Sequence, residues 1–358
     1  MIKINPHLFF YIENGEVICW NYISHEQFSI DLDYLQRLFN ISIHGDITDN
    51  QIDQDLLEYG LLEKPPFSKR EEWGWDILSL IFHKGTQDIP LNEKPSANID
   101  EWIENYLYFS ESIIDDMPPL FIRKKGATLD LPEPKLSDLE KHSFLDVINK
   151  RKTSRSFRTS NISLQDTSTL LFSSLGNFHK NWLEINDNNL EITGIRKTSP
   201  SGGGLHCEEA YLIAFEIEDL EKGVYHYGVK NHDLTLIEQG DFRRKLIDIL
   251  YQQYFCENIS FGIFITARFD KAWWKYKHSR AYRNVLMDVG HVSQTLQLCA
   301  TALDYQTWIS GAFSDTEVNS LLKLDTSKEN TLFFVGIGKS DMNSFDKRII
   351  NHLRERNR

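Results

Sequence analysis

Long apolar runs, paired cysteines and an excess of basic charge are all missing from this sequence. No stretch approaches the roughly 18 uninterrupted apolar residues that a membrane-crossing helix requires, so none is expected. The first twenty residues, MIKINPHLFFYIENGEVICW, lack a charged start followed by a long apolar core, which argues against a secretory signal. Cys19, Cys207, Cys256 and Cys299 are far apart and show no paired spacing. Neither a zinc site nor a disulfide framework is therefore expected, and a reducing, cytoplasmic setting fits best. Lysine and arginine number 39 against 52 aspartates and glutamates, a net charge of −13. That balance excludes the basic footprint of a general nucleic-acid binder, yet it permits a local basic pocket for an anionic cofactor.

What is present is core material. The 358 residues are 41% hydrophobic and 12% aromatic, enough for more than one packed core. Three regions are expected: 1–63, a connecting region 64–138, and a larger domain 139–358. In the first, LFFYI and EVICWNY flank Asn14-Gly15, a strong signal for a tight hairpin. A helix is expected from Asp31 with Leu32, Leu35, Leu38 and Phe39 on one face. A second follows a capping box at Thr48-Asp49-Asn50-Gln51 and stops at Gly60. Strands followed by two short helices suggest a winged-helix-like unit. It is lopsided in charge, with ten acidic residues against Lys3 and Arg37 in residues 1–62. KPPFSKREE reads as a linker, and helical segments bearing Trp73, Trp75, Trp102 and Tyr106 run on to the punctuating MPPLF.

The larger domain opens with Ser143 as an N-cap, and a second capped helix ends at Gly176. AYLIAFEI, GVYHYG, SFGIFITARF and NTLFFVGIG read as strands. No βαβ unit repeats, so the class is α+β. Between the last two strands lies a long helix. Its apolar positions 286, 289, 292, 296, 299 and 303 step by three or four, and Val285, Leu298 and Ala302 form a second face. Such a helix belongs in a core or a subunit interface.

Four motifs carry chemistry. KAWWKYKHSRAYR, residues 271–283, gathers Lys271, Lys275, Lys277, Arg280 and Arg283 where the long helix is expected to begin. Cations there face the positive end of the helix, which calls for an anionic ligand or a lysine kept uncharged. In RKTSRSF, Arg151, Lys152, Thr153 and Arg155 are able to chelate a phosphate; the pattern alone equally fits a basic helix end. SPSGGGLHCEE offers three glycines whose backbone can approach a flat ligand, or simply flexibility. It lacks both the Lys-Ser/Thr ending of a phosphate-binding loop and the Gly spacing of a dinucleotide fold. FVGIGKS ends a strand with Gly336, Gly338 and Lys339. His291, Cys207 and Cys299 read as packed residues, and no metal site is expected.

Taken in order, these segments resemble the SagB-type (McbC-like) dehydrogenases of the nitroreductase superfamily, over roughly residues 140–340. The resemblance implies a nitroreductase-like FMN fold, a mixed sheet wrapped by helices, homodimeric with the long helix central to the dimer. It places Arg151, Lys152, Thr153 and Arg155 on the phosphate and ribityl groups of FMN. Pro200, Ser201, Gly202 and Gly203 fall along the isoalloxazine, and Gly338 and Lys339 near the last phosphate-side contact. Lys275-Tyr276 matches the pair assigned to catalysis in azoline oxidases. Lys152, Thr153, Asp304 and Thr295 depart from the family's arginine, serine, glycine and asparagine, so the subfamily is divergent.

The resemblance further implies oxidation of azolines to azoles in a ribosomally made precursor peptide, with a cyclodehydratase complex as a further partner. Region 1–63 looks like the winged-helix element that binds leader peptides in such pathways. Lys275 is the expected base, kept neutral by burial, by Lys277, Arg280 and Arg283, and by the helix N-terminus. Trp273 and Trp274 are expected to wall the substrate channel. Three other functions remain open: dehydrogenation of another peptide position, a generic NAD(P)H-dependent nitro or quinone reductase, and a non-catalytic peptide-binding scaffold. Neither nucleic acid nor membrane is an expected partner.

Overall fold

Asn14 and Gly15 both take positive φ, 51° and 86°, so the chain turns back on itself in two residues. That turn joins Leu8–Glu13 to Glu16–Asn21 in a computed structural model that describes residues 2–48, 50–70, 72–88, 96–179, 196–341, 345 and 347–356. The chain divides into two units, Met1–Lys94 and Pro95–Arg358.

In the first unit β1 (Lys3–Ile4) precedes β2 (Leu8–Glu13), β3 (Glu16–Asn21) and β4 (Glu26–Ile30). The last three form an antiparallel sheet in that order. Helices α1 (Leu32–His44) and α2 (Gln51–Glu58) follow, and β5 (Leu62–Glu63) returns to pair with β1. Cys19, Ile30, Leu38, Ile41, Leu56, Leu61 and Leu62 make the core. The face expected on α1 is rotated: Leu38 is buried as expected, but Leu32 and Phe39 are exposed, and Tyr34 and Ile41 join Leu38 in the core instead. The expected capping box is also displaced. Asn50, not Thr48, caps α2 by accepting from Asp53 N at 2.7 Å, and Asp49 lies outside the described residues. The Asp53 carboxylate instead takes Nε and Nη2 of Arg37, each at 2.6 Å, and the backbone N–H of Thr48 at 2.6 Å. Helix α3 (Ile77–Gly85) completes the unit.

The second unit contains α4 (Ile99–Ile113), β6 (Thr128–Asp130), α5 (Phe144–Lys150), β7 (Phe157–Arg158) and α6 (Leu164–Leu175). Then come β8 (Glu208–Ala214), β9 (Gly223–Gly228), β10 (Asp233–Gln239), α7 (Arg243–Ile249) and β11 (Phe261–Arg268). The chain ends through α8 (Phe269–Lys275), α9 (Ala281–Ala302), β12 (Gln306–Ser310), α10 (Asp315–Leu321), β13 (Glu329–Ser340) and α11 (Lys347–Arg356). The antiparallel sheet runs β12-β13-β11-β8-β9-β10-β6, with β7 paired to the end of β13. This is the α+β class expected.

Strand β8 has no solvent-facing side, because all seven of its residues are buried. Side chains alternate between two cores instead. Leu212 and Ala214 join α6 and α9 in one layer, while Tyr211 and Ile213 join Leu246, Phe264 and Phe334 in the other. Both capped helices stand as expected, with Ser143 in a full capping box and Ser163 capping α6. Strands β6, β10 and β12 were not foreseen. Among the described residues no helix is long and apolar enough to cross a membrane.

Candidate active site

The long helix begins at Ala281, inside the cation cluster, with Arg280 at its N-cap and Arg283 in its first turn, but Lys271 and Lys275 belong to a separate short helix before it. The chain breaks between α8 and α9, so Lys275 lies in the last turn of a short helix rather than at the entrance of the long one. Lys275 therefore meets the C-terminal end of a helix, which favours a cation, rather than the N-terminal end expected from the sequence.

Lys271 and Lys275, one turn apart, share a face of α8, and both are buried. Lys275 is 8% exposed. Its Nζ makes a long hydrogen bond, 3.4 Å, to the carbonyl of Gly203 and stands 5.6 Å and 5.9 Å from the ring centres of Tyr106 and Tyr276. Lys271 Nζ donates to the carbonyls of His206 at 2.8 Å and Leu120 at 3.2 Å, and burial lowers its pKa. The Tyr276 hydroxyl is pushed above its ordinary value, first by burial and then by Tyr106.

The loop facing these lysines is fixed from below by α9. The Asp288 carboxylate accepts from Ser201 Oγ at 2.7 Å and from Gly202 N at 3.0 Å. Burial raises the Asp288 pKa, against the pull of those two donors. Gly203 has φ +64°, and a Cβ there would lie 2.3 Å from Tyr276 Oη and 3.3 Å from Lys275 Nζ. Only a residue without a side chain fits this contact. Pro200 is exposed beside it.

The basic segment is organised elsewhere, along β12 and β13. Arg151 closes α5 by donating its N–H to Val147 O at 2.9 Å, and Lys152 is exposed. Thr153 bridges to Thr307, and Ser154 donates its N–H to Thr307 O at 2.8 Å. The Arg155 guanidinium stands 5.7 Å from the Phe255 ring centre. Strand β7 pairs with Lys339 and Ser340, while Gly338 pairs with Gln306. Lys339 Nζ donates to Asp304 O at 2.9 Å and stands 4.0 Å from the Tyr305 ring centre; burial lowers its pKa. The structure thus gathers the expected residues into two groups, 151–155 with Gly338 and Lys339, and Ser201–Gly203 with Lys275 and Tyr276. The buried hydroxyl of Thr307 has no hydrogen-bond partner among the described residues.

His291 is an exposed residue, not a packed one, and Trp274 is buried with its Nε1 donating to Ile113 O at 2.8 Å. Trp273 alone of that pair lines an open groove of about 610 Å³, together with Phe269, Tyr276, His278, Tyr282 and Val285. On α9, Leu286 is 45% exposed, so the first apolar stripe is not wholly in the core, and Met287 beside it is 52% exposed. Asp304 sits at φ +60°, which gives a physical reason for the family's glycine there. Thr295 Oγ1 stands 2.6 Å from Ser199 Oγ and helps hold the glycine loop's approach. Sequence reasoning missed Asp288, although a lone carboxylate on an apolar helix stretch is a usable signal. It also missed Tyr106 as a neighbour of Lys275, for which no local signal exists. Among the described residues no cluster of His, Cys, Asp or Glu is arranged to hold a metal.

A model of the nitroreductase family matches residues 148–339. The protein named "Putative nitroreductase MJ1384", from Methanocaldococcus jannaschii, is 30% identical over 212 residues, which is 59% of this chain and 98% of that one. Two proteins of Rhizobium leguminosarum bv. trifolii also match. The trifolitoxin-processing protein TfxB is 31% identical over 150 residues, 40% of each chain. The trifolitoxin operon protein TfxC is 23% identical over 296 residues, 79% of each chain.

Proposed function

The chain belongs to the nitroreductase family, and from that premise we propose that it is an FMN-dependent dehydrogenase acting on a ribosomally made peptide. Its reaction is the oxidation of an azoline ring to an azole. The observation that carries this reading is the contact of Gly203 with both Lys275 and Tyr276, a bare backbone lying against an amine and a phenol. Similarity to two trifolitoxin proteins, one named for processing, supports a peptide as substrate.

The residues present fit FMN. At Gly203 the backbone comes so close to Tyr276 Oη and Lys275 Nζ that a Cβ would lie 2.3 Å and 3.3 Å from them, so bare backbone, amine and phenol meet at one point beside which the ring of FMN would lie. Arg151, Lys152, Thr153 and Arg155, tied to the strand ending in Gly338 and Lys339, supply the cations and hydroxyl that a phosphate and ribityl chain need. FMN when bound supplies the hydride acceptor; the protein supplies position and a proton acceptor. Lys275 Nζ takes the proton leaving one ring carbon as the neighbouring carbon gives up its hydride. The Tyr276 hydroxyl, whose pKa is raised, stays protonated and orients the amine or the substrate. The groove beside Trp273 and Tyr282 admits the peptide. The exposed Leu286 and Met287 on α9 support a homodimer through that helix. In the first unit the edge strand β4 borders a groove of about 460 Å³ lined by Phe28, Tyr34, Tyr59, Asp31 and Asp55. An extended leader segment adding to that edge would be favoured by basic residues.

A second reading, NAD(P)H-dependent reduction of small nitro or quinone compounds, is favoured by the 98% coverage of the Methanocaldococcus protein. Purified Lys275→Ala is expected to keep its flavin and lose turnover on an azoline-bearing peptide; full turnover removes Lys275 from the mechanism. Arg151→Ala or Arg155→Ala is expected to lower flavin content, and unchanged content refutes the phosphate assignment. Rapid flavin reduction by NAD(P)H with nitroaromatic turnover, and none with peptide, selects the second reading.

A further inference from the structure

Helix α4 and the chain that follows it lie before the family-matched residues 148–339. They are nevertheless fastened to α8 from one end to the other. Arg268 Nη1, at its start, donates to Pro119 O at 2.6 Å, and Lys271 Nζ donates to Leu120 O at 3.2 Å. Trp274 Nε1 donates to Ile113 O at 2.8 Å, and Lys275 Nζ stands 5.6 Å from the ring centre of Tyr106. On its other side the same helix reaches the glycine loop, through Lys275 to Gly203 O and Lys271 to His206 O. Helix α8 is thus held between two backbones, and one of them lies outside the matched domain.

Within α4 no residue is fully buried, and Trp102, Leu107 and Tyr108 are exposed. Half-buried positions fall at Tyr106, Ser110 and Ile113, spaced four and three, so a single face of α4 meets the rest of the unit. Tyr106 is the residue of that face that reaches the amine. A lysine amine on a four-carbon stem is poorly fixed by one long bond to a carbonyl. The Tyr276 ring moves with the backbone of Lys275, its neighbour in sequence; the Tyr106 ring arrives from another element and confines the amine from outside.

We propose that Tyr106 is a positioning residue of the active site, its ring face holding Lys275 Nζ against the Gly203 carbonyl. The proposal rests on the reading of Lys275 as the working amine. It adds that the reaction depends on a residue the matched domain does not contain. The ring, rather than the hydroxyl, does the holding, because the aromatic face attracts the ammonium form of Lys275, the form that must give up its proton before the amine can act as base.

The test uses the purified full chain and trinitrobenzenesulfonate, an amine reagent, with the rate of Lys275 modification read by peptide mass spectrometry. Tyr106→Leu is expected to speed Lys275 labelling roughly two- to fivefold, the release expected of one cation–ring contact. Tyr106→Phe should label as the wild type does, and Lys271 should be unchanged in both. On an azoline-bearing peptide Tyr106→Leu should lower kcat with KM unchanged, with Tyr106→Phe restoring it. Equal Lys275 labelling in all three proteins overturns the proposal, as does a Phe variant that behaves like Leu. If Tyr106→Leu does not fold, Tyr106→Met takes its place with the same two outcomes. Full turnover by Lys275→Ala would defeat the base reading alone, because labelling still decides whether Tyr106 holds the amine.

Discussion

Strand β2 in the first unit has its six residues half-buried or exposed, whereas every one of the eight residues of β11 in the second unit is buried. The first sheet packs one face on two helices. The second carries helices α6 and α9 on one side and a layer with α7 and α10 on the other. Burial on both faces multiplies the apolar area removed from water, so stability in the second unit rests on packing. In the first unit a larger share falls to individual polar contacts, above all the Arg37–Asp53 pair and the caps of its helices.

The strongest challenge to this contrast is Phe264→Ala. Phe264 is fully buried, with ring centres of Phe334 at 4.7 Å and Phe313 at 5.7 Å. The loss should be about 4 kcal/mol, read as faster amide exchange across Phe261–Arg268. A cost below about 1 kcal/mol would mean the double layer contributes little there. Next in size is Asp53→Asn, which should destabilise the first unit by about 2 kcal/mol in urea unfolding, since a charge-assisted fork is lost. The Arg37 hydrogen bonds, ahead of the opposing effect of burial, hold the Asp53 carboxyl below its ordinary value. A lowered folded pKa gives stability that is present above the unfolded value and lost as pH falls through the folded one. Amide protection in Met1–Lys94 should therefore drop below about pH 4 in the wild type. The Asn variant should lack that step; an identical step would place the acid sensitivity elsewhere. The smallest effect is Asn50→Ala, expected to cost about 1 kcal/mol through loss of the α2 cap.

Local signals carried far in this chain. Asn14-Gly15, Ser143 and Ser163 act through residues within four positions of themselves, and each formed as read. Rotation of the α1 face was not legible, because whether Phe39 or Ile41 is buried depends on what the helix meets. Strand β12 is five residues that read as nothing alone; it exists because β13 offers it an edge. The break between Lys275 and Ala281 contains neither proline nor glycine, so nothing local marked α8 as a separate short helix. In the site, Gly203 and the Lys275-Tyr276 pair stood out in sequence, but their meeting is a tertiary fact. Tyr106 lies far upstream of Lys275, and spacing carries no information across that distance.

Strand β6 has a consequence in time. It seals the edge of the large sheet by pairing Thr128–Asp130 with Asp233–Thr235. At ordinary rates of synthesis those partners emerge roughly 100 residues later, about 5–20 s after β6 leaves the ribosome. During that interval the short strand has no edge to join. The piece that ends the sheet on this side is made before any other strand of it, so that seam closes only after β10 exists.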